Sequence, residues 1–304
     1  SLNESLSGSY SFDFKLKIEK SVLKRIRQFA GGMLLISLVS GLNTQMDKIA
    51  ISKLLPVESL GHYTLAVSLA MGILVVVSPI SITLLPRFTA LYSDGKNNEA
   101  TILFSRISLF VAILVFSIMA NMAVFSKQLI WIWTGNMELA QQSHVYLPVI
   151  AFSVSMLSLA TIPYNIAIAN GYTKLNNQLG LISLFVTLPG YWFATKNYGA
   201  IGSAYIYCLV QTLVTLIYLY FINKKFINTK RVATLYIQQM LFPLLISFFA
   251  AFAFSFIPYW ETNSRVISLL WIGFYTISTV FISVVILVSK KEKEEIIKKT
   301  FKLL

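Results

Sequence analysis

The sequence predicts an all-α polytopic membrane protein with eight transmembrane helices. Of its 304 residues, 56% are hydrophobic and only 12% are charged, whereas soluble domains carry roughly 25% charged residues. A mean hydropathy of +0.71 leaves too much apolar surface for one water-soluble core to bury. The apolar runs lack the two-residue alternation that is typical of a membrane β-barrel, so helices are the expected spanning elements.

Eight apolar runs are long enough to cross a membrane, because a helix needs about 20 mostly apolar residues to span about 30 Å of hydrocarbon. The expected spans are residues 29–49, 62–92, 101–125, 139–169, 175–195, 199–222, 235–257 and 264–289. The second span contains Pro79 and Pro86, and the fourth contains Pro148 and Pro163. A proline removes one helical hydrogen bond, so we expect kinks at these positions.

Basic residues mark the ends of the spans and set the expected orientation. If the chain crosses the membrane eight times, 20 of its 25 Lys and Arg residues fall on one side. Basic residues are enriched on the cytoplasmic side of membrane proteins, so both termini are expected there. Segment 15–29 places apolar residues on one helical face and basic residues on the other, which favours an amphipathic helix on the anionic inner surface. Topology thus explains the net charge of +13, and we expect no nucleic-acid partner.

Nothing in the sequence forms a catalytic constellation. The two histidines, His62 and His144, lie at the outer ends of spans, without an adjacent acidic pair or metal-ligand spacing. A GxxxxGK[ST] loop for nucleotide phosphates does not occur. We therefore expect a protein that is not an enzyme and that binds no metal or cofactor.

Four polar residues, Asn43, Gln45, Asp47 and Lys48, lie in the outer half of the first expected span. Asp47 is the only carboxylate inside any of the eight runs, and a charged side chain within a span costs about 2.5–3.5 kcal/mol on insertion scales. Asn43 and Asp47 are four residues apart and share a helix face. Two interpretations stay open: these residues line a pathway for a substrate or coupling ion, or they lie at the membrane interface and end the span.

Arg87 is a further candidate, because it follows Pro86 near the cytoplasmic end of the second expected span. Its guanidinium offers planar paired donors and a permanent charge, which suit a pyrophosphate group. The alternative is that Arg87 extends to the membrane interface, which is the favoured explanation for Arg106. Weaker candidates are intramembrane amides, which more often join helices than bind ligands: Asn165, Asn170 and Gln211.

Four segments carry motifs that can be compared with a known family. In residues 45–55 an Asp precedes an aliphatic turn, and in residues 57–66 a Gly-x-Tyr-x-x-Ala motif follows. Residues 130–135 read Ile-Trp-Ile-Trp-Thr-Gly, and residues 198–204 contain a Gly-x-x-Gly-x-Ala motif. These segments resemble the Wzx-type polysaccharide flippases of the multidrug/oligosaccharidyl-lipid/polysaccharide exporter superfamily. In order, they are similar to its seventh helix, its eighth helix, the short outer segment after its ninth helix and the start of its twelfth helix.

The resemblance implies two six-helix lobes in a pseudo-twofold relation, often followed by two additional helices. Residues 29–222 would then form the C-terminal lobe, and residues 223–289 would form the two additional helices. Residues 1–28 would be a cytoplasmic linker and residues 290–304 a basic cytoplasmic tail. The six helices of the N-terminal lobe would be absent from this chain.

The resemblance further implies flipping of undecaprenyl-pyrophosphate-linked oligosaccharide units across the bacterial cytoplasmic membrane during surface polysaccharide biosynthesis. Expected partners are this lipid-linked substrate, membrane lipids, and a polysaccharide polymerase with its chain-length regulator. Three alternatives stay open: a drug or metabolite exporter of the same superfamily, a membrane glycan-modifying enzyme, and a non-catalytic membrane subunit. An exporter is expected to show several buried acids, and an enzyme to show a large loop or an intramembrane cluster of His, Asp and Arg.

The predicted orientation can be tested by labelling single cysteines in a Cys208→Ser background. Ser93→Cys and Asn228→Cys should react only with reagents on the cytoplasmic side, because they lie at the basic ends of the spans. Asn136→Cys and Asn197→Cys should react only from outside. A reversed pattern at any two of these sites contradicts the eight-span orientation.

Overall fold

The computed structural model describes residues 20–227, 232–257 and 264–288, and helices account for almost all of them. Its α-helices are α1 (Lys20–Asn43), α2 (Met46–Leu54), α3 (Val57–Ser93), α4 (Asn97–Val124), α5 (Ser126–Thr134), α6 (Met137–Ser143), α7 (Leu147–Ala169), α8 (Lys174–Tyr198), α9 (Ala200–Ile222), α10 (Val232–Tyr236), α11 (Phe242–Ser255) and α12 (Arg265–Leu287). Two π-helical turns, Asn223–Ile227 and Ile237–Leu241, follow α9 and precede α11. The prediction of an all-α fold is confirmed.

Six helical segments are long and apolar enough to cross a membrane within these described ranges. They are Val57–Ser93, Asn97–Val124, Leu147–Ala169, Ala200–Ile227, Ala233–Ser255 and Arg265–Leu287. The chain is therefore a multi-pass membrane protein. The other two expected spans, 29–49 and 175–195, are helical but more polar, so the total of eight stays a prediction.

The first expected span is not one helix, which corrects the prediction of a continuous segment over residues 29–49. Helix α1 ends at Asn43 and α2 begins at Met46. At the break, Asn43 Nδ2 donates to the Val39 carbonyl at 3.1 Å and Thr44 Oγ1 donates to the Gly41 carbonyl at 3.0 Å. Polar side chains that bond nearby carbonyls compete with the helical ladder, which accounts for the break at this place.

Pro148 acts differently from the prediction. The expected span 139–169 divides into α6 and α7, and Pro148 lies in the first turn of α7, where the missing N–H costs no helical bond. Pro148 thus lies at the start of a helix instead of kinking one. Pro79 and Pro86 lie inside α3, and Pro163 lies inside α7, so kinks at these three positions stay a prediction.

The flanking predictions are tested only in part. The described section of the predicted amphipathic segment 15–29 begins at Lys20 and is continuous with α1. Residues 1–19 of the expected linker and the expected tail at 290–304 lie outside the described residues.

Helix α7 is central to the packing. It lies against α3, α4 and α9, and these helices bury most of the apolar core. On one side, α9 packs on α8, and α8 in turn packs on α1 and α2. On the other side, α4 packs on both α11 and α12.

Buried hydroxyls and an amide join α11 and α12 to α4. The Ser247 hydroxyl lies 3.2 Å from that of Ser117 and 3.3 Å from that of Ser283. Asn121 Nδ2 donates to Thr279 Oγ1 at 3.1 Å. Interhelical bonds of this kind hold transmembrane helices together, because lipid offers no alternative partner.

Close packing of α8 on α9 predicts a measurable effect of Gly202→Ala. A Cβ at position 202 would overlap the backbone carbonyl of Ala194 on the neighbouring helix, and overpacking of this kind costs about 1–3 kcal/mol. Thermal unfolding of the detergent-solubilised chain should therefore begin at a lower temperature. Gly273→Ala is the matched control, since a Cβ there meets nothing within 4 Å. Equal unfolding temperatures for the two variants would contradict the close contact.

Candidate functional site

A cavity of about 390 Å³ lies between α1, α7, α8 and α9. Its volume falls in the range of about 300–1,000 Å³ that is usual for small-molecule sites. Of the four helices that line it, α1 and α8 are the two that fall short of the apolarity of the other spans. The cavity is therefore the place where polar side chains enter the apolar bundle.

Helix α8 contributes a stripe of cavity-lining residues. Asn176, Gly180, Ser183, Thr187 and Tyr191 follow one another at intervals of three or four residues. Such spacing places them on one helix face. The stripe therefore forms one continuous, mostly polar wall.

Helix α9 forms the facing wall with Tyr207, Gln211 and Tyr218, which have the same helical spacing. Gln211 Nε2 donates to Thr215 Oγ1 at 3.2 Å. The Thr215 hydroxyl donates in turn to a backbone carbonyl of α7 at 3.1 Å. Gln211 is thus held in place within the wall.

Asn43 closes the cavity from α1 and connects this helix to α8. Its amide nitrogen lies 3.4 Å from both the Gly180 carbonyl and the Ser183 hydroxyl. Its amide oxygen accepts a hydrogen bond from Thr187 Oγ1 at 3.1 Å. The residue that the sequence places in the outer half of the first span is thus a cavity residue.

Asp47 is buried beside the cavity and does not line it. Its Oδ2 accepts a hydrogen bond from the Tyr63 hydroxyl at 2.8 Å, and its Oδ1 accepts one from the backbone N–H of Lys48 at 2.7 Å. Its helix, α2, packs on α8 and α9, which carry Tyr191 and Tyr207 of the cavity wall. Asp47 therefore fixes α2 to α3 directly behind this wall.

Gln45 and Lys48 lie on the outer side of α2. The Lys48 amine donates to the Thr44 carbonyl at 3.1 Å and to Gln45 Oε1 at 3.2 Å. Gln45 is exposed and Lys48 is half-buried. Of the four candidates in the first expected span, Asn43 thus lines the cavity, Asp47 supports it, and Gln45 and Lys48 are not part of the lining.

Of the other residues that the sequence suggested, only Gln211 lines the cavity. Arg87 is exposed near the end of α3 and is not part of the lining. Asn165 joins α7 to α3, because its Nδ2 donates to the carbonyl and the hydroxyl of Ser81 at 2.8 and 2.9 Å. Asn170 is exposed and donates to the carbonyl of Ile166 at the end of its own helix. Gln211 is the exception, since it belongs to the α9 wall.

Sequence reasoning missed the α8 stripe and the cavity tyrosines. The missed stripe residues Ser183 and Thr187 are hydroxyl-bearing and individually unremarkable in a transmembrane helix. Their signal was the helical spacing of polar and small residues through an otherwise apolar run. No group of three His, Cys, Asp or Glu side chains suited to a metal ion occurs among the described residues.

Residues 5–140 match a family model described as polysaccharide biosynthesis protein. The similarity is to proteins of polysaccharide biosynthesis. It includes the segments 45–55, 57–66 and 130–135 that resemble the flippases, and it also includes Asn43, Asp47 and Arg87. The α8 and α9 walls of the cavity lie outside the matched residues. No curated protein matches the chain.

The bond between Tyr63 and Asp47 predicts a local effect of Tyr63→Phe. Hydrogen bonds to charged groups contribute about 1.5–3 kcal/mol, so α2 should open about tenfold more often or more when the hydroxyl is removed. Hydrogen–deuterium exchange of residues 46–54 measures this opening. Tyr205→Phe is the control, because Tyr205 is 58% exposed. Unchanged exchange in Tyr63→Phe would show that the bond does not hold α2.

Proposed function

We propose that this protein translocates undecaprenyl-pyrophosphate-linked oligosaccharide units across the bacterial cytoplasmic membrane, with both termini in the cytoplasm. The observation that carries the proposal is a cavity between four helices of this membrane protein, with amide and hydroxyl side chains in its lining. A transported sugar headgroup needs such a place, because lipid offers hydroxyl groups no hydrogen-bond partners. The match of residues 5–140 to polysaccharide biosynthesis proteins supports the same class of substrate.

The mechanism follows from the chemistry of the substrate. The lipid tail stays in the bilayer while the sugar headgroup occupies the polar cavity, so hydroxyl groups do not cross hydrocarbon unsolvated. Rocking of two lobes against each other exposes the pathway to alternate sides of the membrane. The resemblance to flippases implies that the second lobe comes from further helices, and that an ion gradient supplies the energy.

Arg87 and Asp47 have distinct roles in this proposal. Arg87 is exposed at the end of α3 that the basic residues assign to the cytoplasm, where its guanidinium meets the pyrophosphate before the flipping step. Asp47 holds α2 behind the cavity wall through Tyr63. Polysaccharide polymerase and chain-length regulator are the proposed partners that use the flipped product.

A drug or metabolite exporter is the second candidate, and the buried carboxylate of Asp47 is the observation that favours it. Exporters driven by cations use buried acids to bind the coupling ion. The Asp47 carboxylate, however, already accepts two hydrogen bonds, and most of the cavity lining is neutral amide, hydroxyl and aromatic groups. The lining thus offers hydrogen-bonding groups to sugar hydroxyls, and among the described residues it contains no acid for a coupling cation.

Export in a flippase-deficient bacterial strain tests the proposal. The complete gene that encodes this chain should restore surface polysaccharide. Proteoliposomes that contain its product should move a fluorescent lipid-linked oligosaccharide between leaflets. Failure of both assays with the protein present in the membrane contradicts the proposed function.

Matched variants in the same strain test the two residue roles. Asp47→Asn and Arg87→Gln should each lower export several-fold at unchanged membrane abundance. The first weakens the support of the cavity wall, and the second removes the charge and the planar donor pair. Arg106→Gln is the control, since Arg106 is another exposed arginine outside the cavity lining. Normal export by both Asp47→Asn and Arg87→Gln would show that neither residue takes part.

A further inference from the structure

The lining of the cavity combines apolar side chains with polar but uncharged ones. Among the described residues that form it, the polar side chains are amides, hydroxyls and phenols, and none of the lining side chains is a Lys, Arg, Asp or Glu. Sites for phosphate groups rely on Arg or Lys, or on clustered backbone N–H groups, to balance the anionic charge. The walls of this cavity lack such side chains.

The charges nearest to the cavity belong to one short helix and are of opposite sign. Asp47 lies on α2, which packs on α8 and α9 behind the wall. The neighbouring Lys48 directs its amine to the carbonyl of the lining residue Thr44 and to Gln45 Oε1. These adjacent charges offset each other, so they leave no net positive charge to balance a carboxylate or phosphate in the cavity.

Two cavity groups have unused hydrogen-bonding capacity. The Tyr218 hydroxyl and the Asn177 side-chain oxygen are buried, and neither has a partner within the described part of the chain. Tyr218 is only 4% exposed. An unpaired buried polar group costs about 1–3 kcal/mol, so a ligand that supplies both a donor and an acceptor gains by filling these positions.

The aromatic side chains complete the chemistry. Tyr164, Tyr191, Tyr207 and Tyr218 all contribute to the lining. Tyr164 and Tyr207 are half-buried and can offer ring faces, whereas Tyr191 and Tyr218 are buried within the wall. Amides and hydroxyls nearby offer donors and acceptors. A pyranose ring combines an apolar C–H face with hydroxyls that both donate and accept, and it fits this mixture of groups.

We infer that this cavity binds an uncharged sugar of the carried oligosaccharide and excludes its pyrophosphate. The inference rests on the proposed function and deepens it by naming the part of the substrate that enters the lobe. Selection then depends on neutral hydroxyl and acetamido groups, and sugars with a carboxylate are disfavoured.

Binding of small sugars to the purified chain tests the inference without any transport step. The chain is placed in phosphatidylcholine nanodiscs, so that no sugar detergent or anionic lipid competes. Saturation-transfer NMR then measures the binding of N,N′-diacetylchitobiose, lactose and digalacturonate. Inorganic pyrophosphate has no carbon-bound protons, so its binding is measured by its ability to displace the bound neutral disaccharide. At least one neutral disaccharide should bind saturably, and both anionic probes should bind at least about tenfold more weakly.

Tyr218→Phe separates a binding role from a structural one. The variant removes a hydroxyl that has no partner in the described protein, so folding should be unchanged or slightly more stable. Binding of the neutral disaccharide should weaken by about fivefold, as expected for one lost hydrogen bond of about 1 kcal/mol. Tyr92→Phe is the matched control, because its hydroxyl is also buried without a partner but lies outside the cavity lining.

The outcomes distinguish this inference from the proposed function. Stronger binding of pyrophosphate or digalacturonate, no binding of either neutral probe, or equal effects of Tyr218→Phe and Tyr92→Phe each overturn the inference. Normal export in the flippase-deficient strain together with any of these results leaves the proposed function standing. Selective neutral binding without export would instead support the cavity and contradict the transport role.

Discussion

The hydrocarbon of a membrane supplies no hydrogen-bond partners, and the rest of this structure depends on that constraint. Backbone groups meet it by forming helices, which explains why helices account for almost all of the described chain. Polar side chains meet it by bonding one another across helix contacts. Asn165 with Ser81, and Ser247 with Ser117 and Ser283, are pairings of this kind.

Because lipid supplies no hydrogen-bond partners, polar groups that join helices can be distinguished from polar groups of the cavity by whether they are already paired. Asn165 donates twice from its amide nitrogen to join two helices, and it lies outside the cavity lining. Tyr218 and Asn177, in contrast, belong to the cavity lining and have buried oxygens without a partner among the described residues. A polar group left unpaired in a membrane protein is costly, and a ligand that pairs with it recovers that cost.

The cavity also gives the two polar helices their place in the fold. Helices α1 and α8 would be poorly solvated by lipid on their polar faces, and they bury those faces against each other and α9. Asn43 and Thr187 form the contact between them. Short helix α2 then closes the same region, because Asp47 and Tyr63 fasten it to α3.

The sequence by itself determined the class of the protein and most of its spanning helices. Apolarity is a property of each residue, so long apolar runs predict helices in a membrane whatever their neighbours are. The exact helix ends were harder to predict from the sequence. The break after Asn43 and the start of α7 at Pro148 both depend on which backbone N–H and C=O groups form helical hydrogen bonds and which are bonded by side chains or lack a donor.

Only the tertiary structure decided which polar residues meet. Sequence reasoning singled out Asn43 and Gln211 but also Arg87 and Asn165, since all four are polar groups in apolar runs. Asn43 contacts Thr187, which is 144 positions away, and nothing in the composition of either segment specifies that pairing. The contact follows from the packing of α1 on α8. Which helices pack together depends on the complementary shape and polarity of their whole faces, and those faces are assembled only in the folded chain.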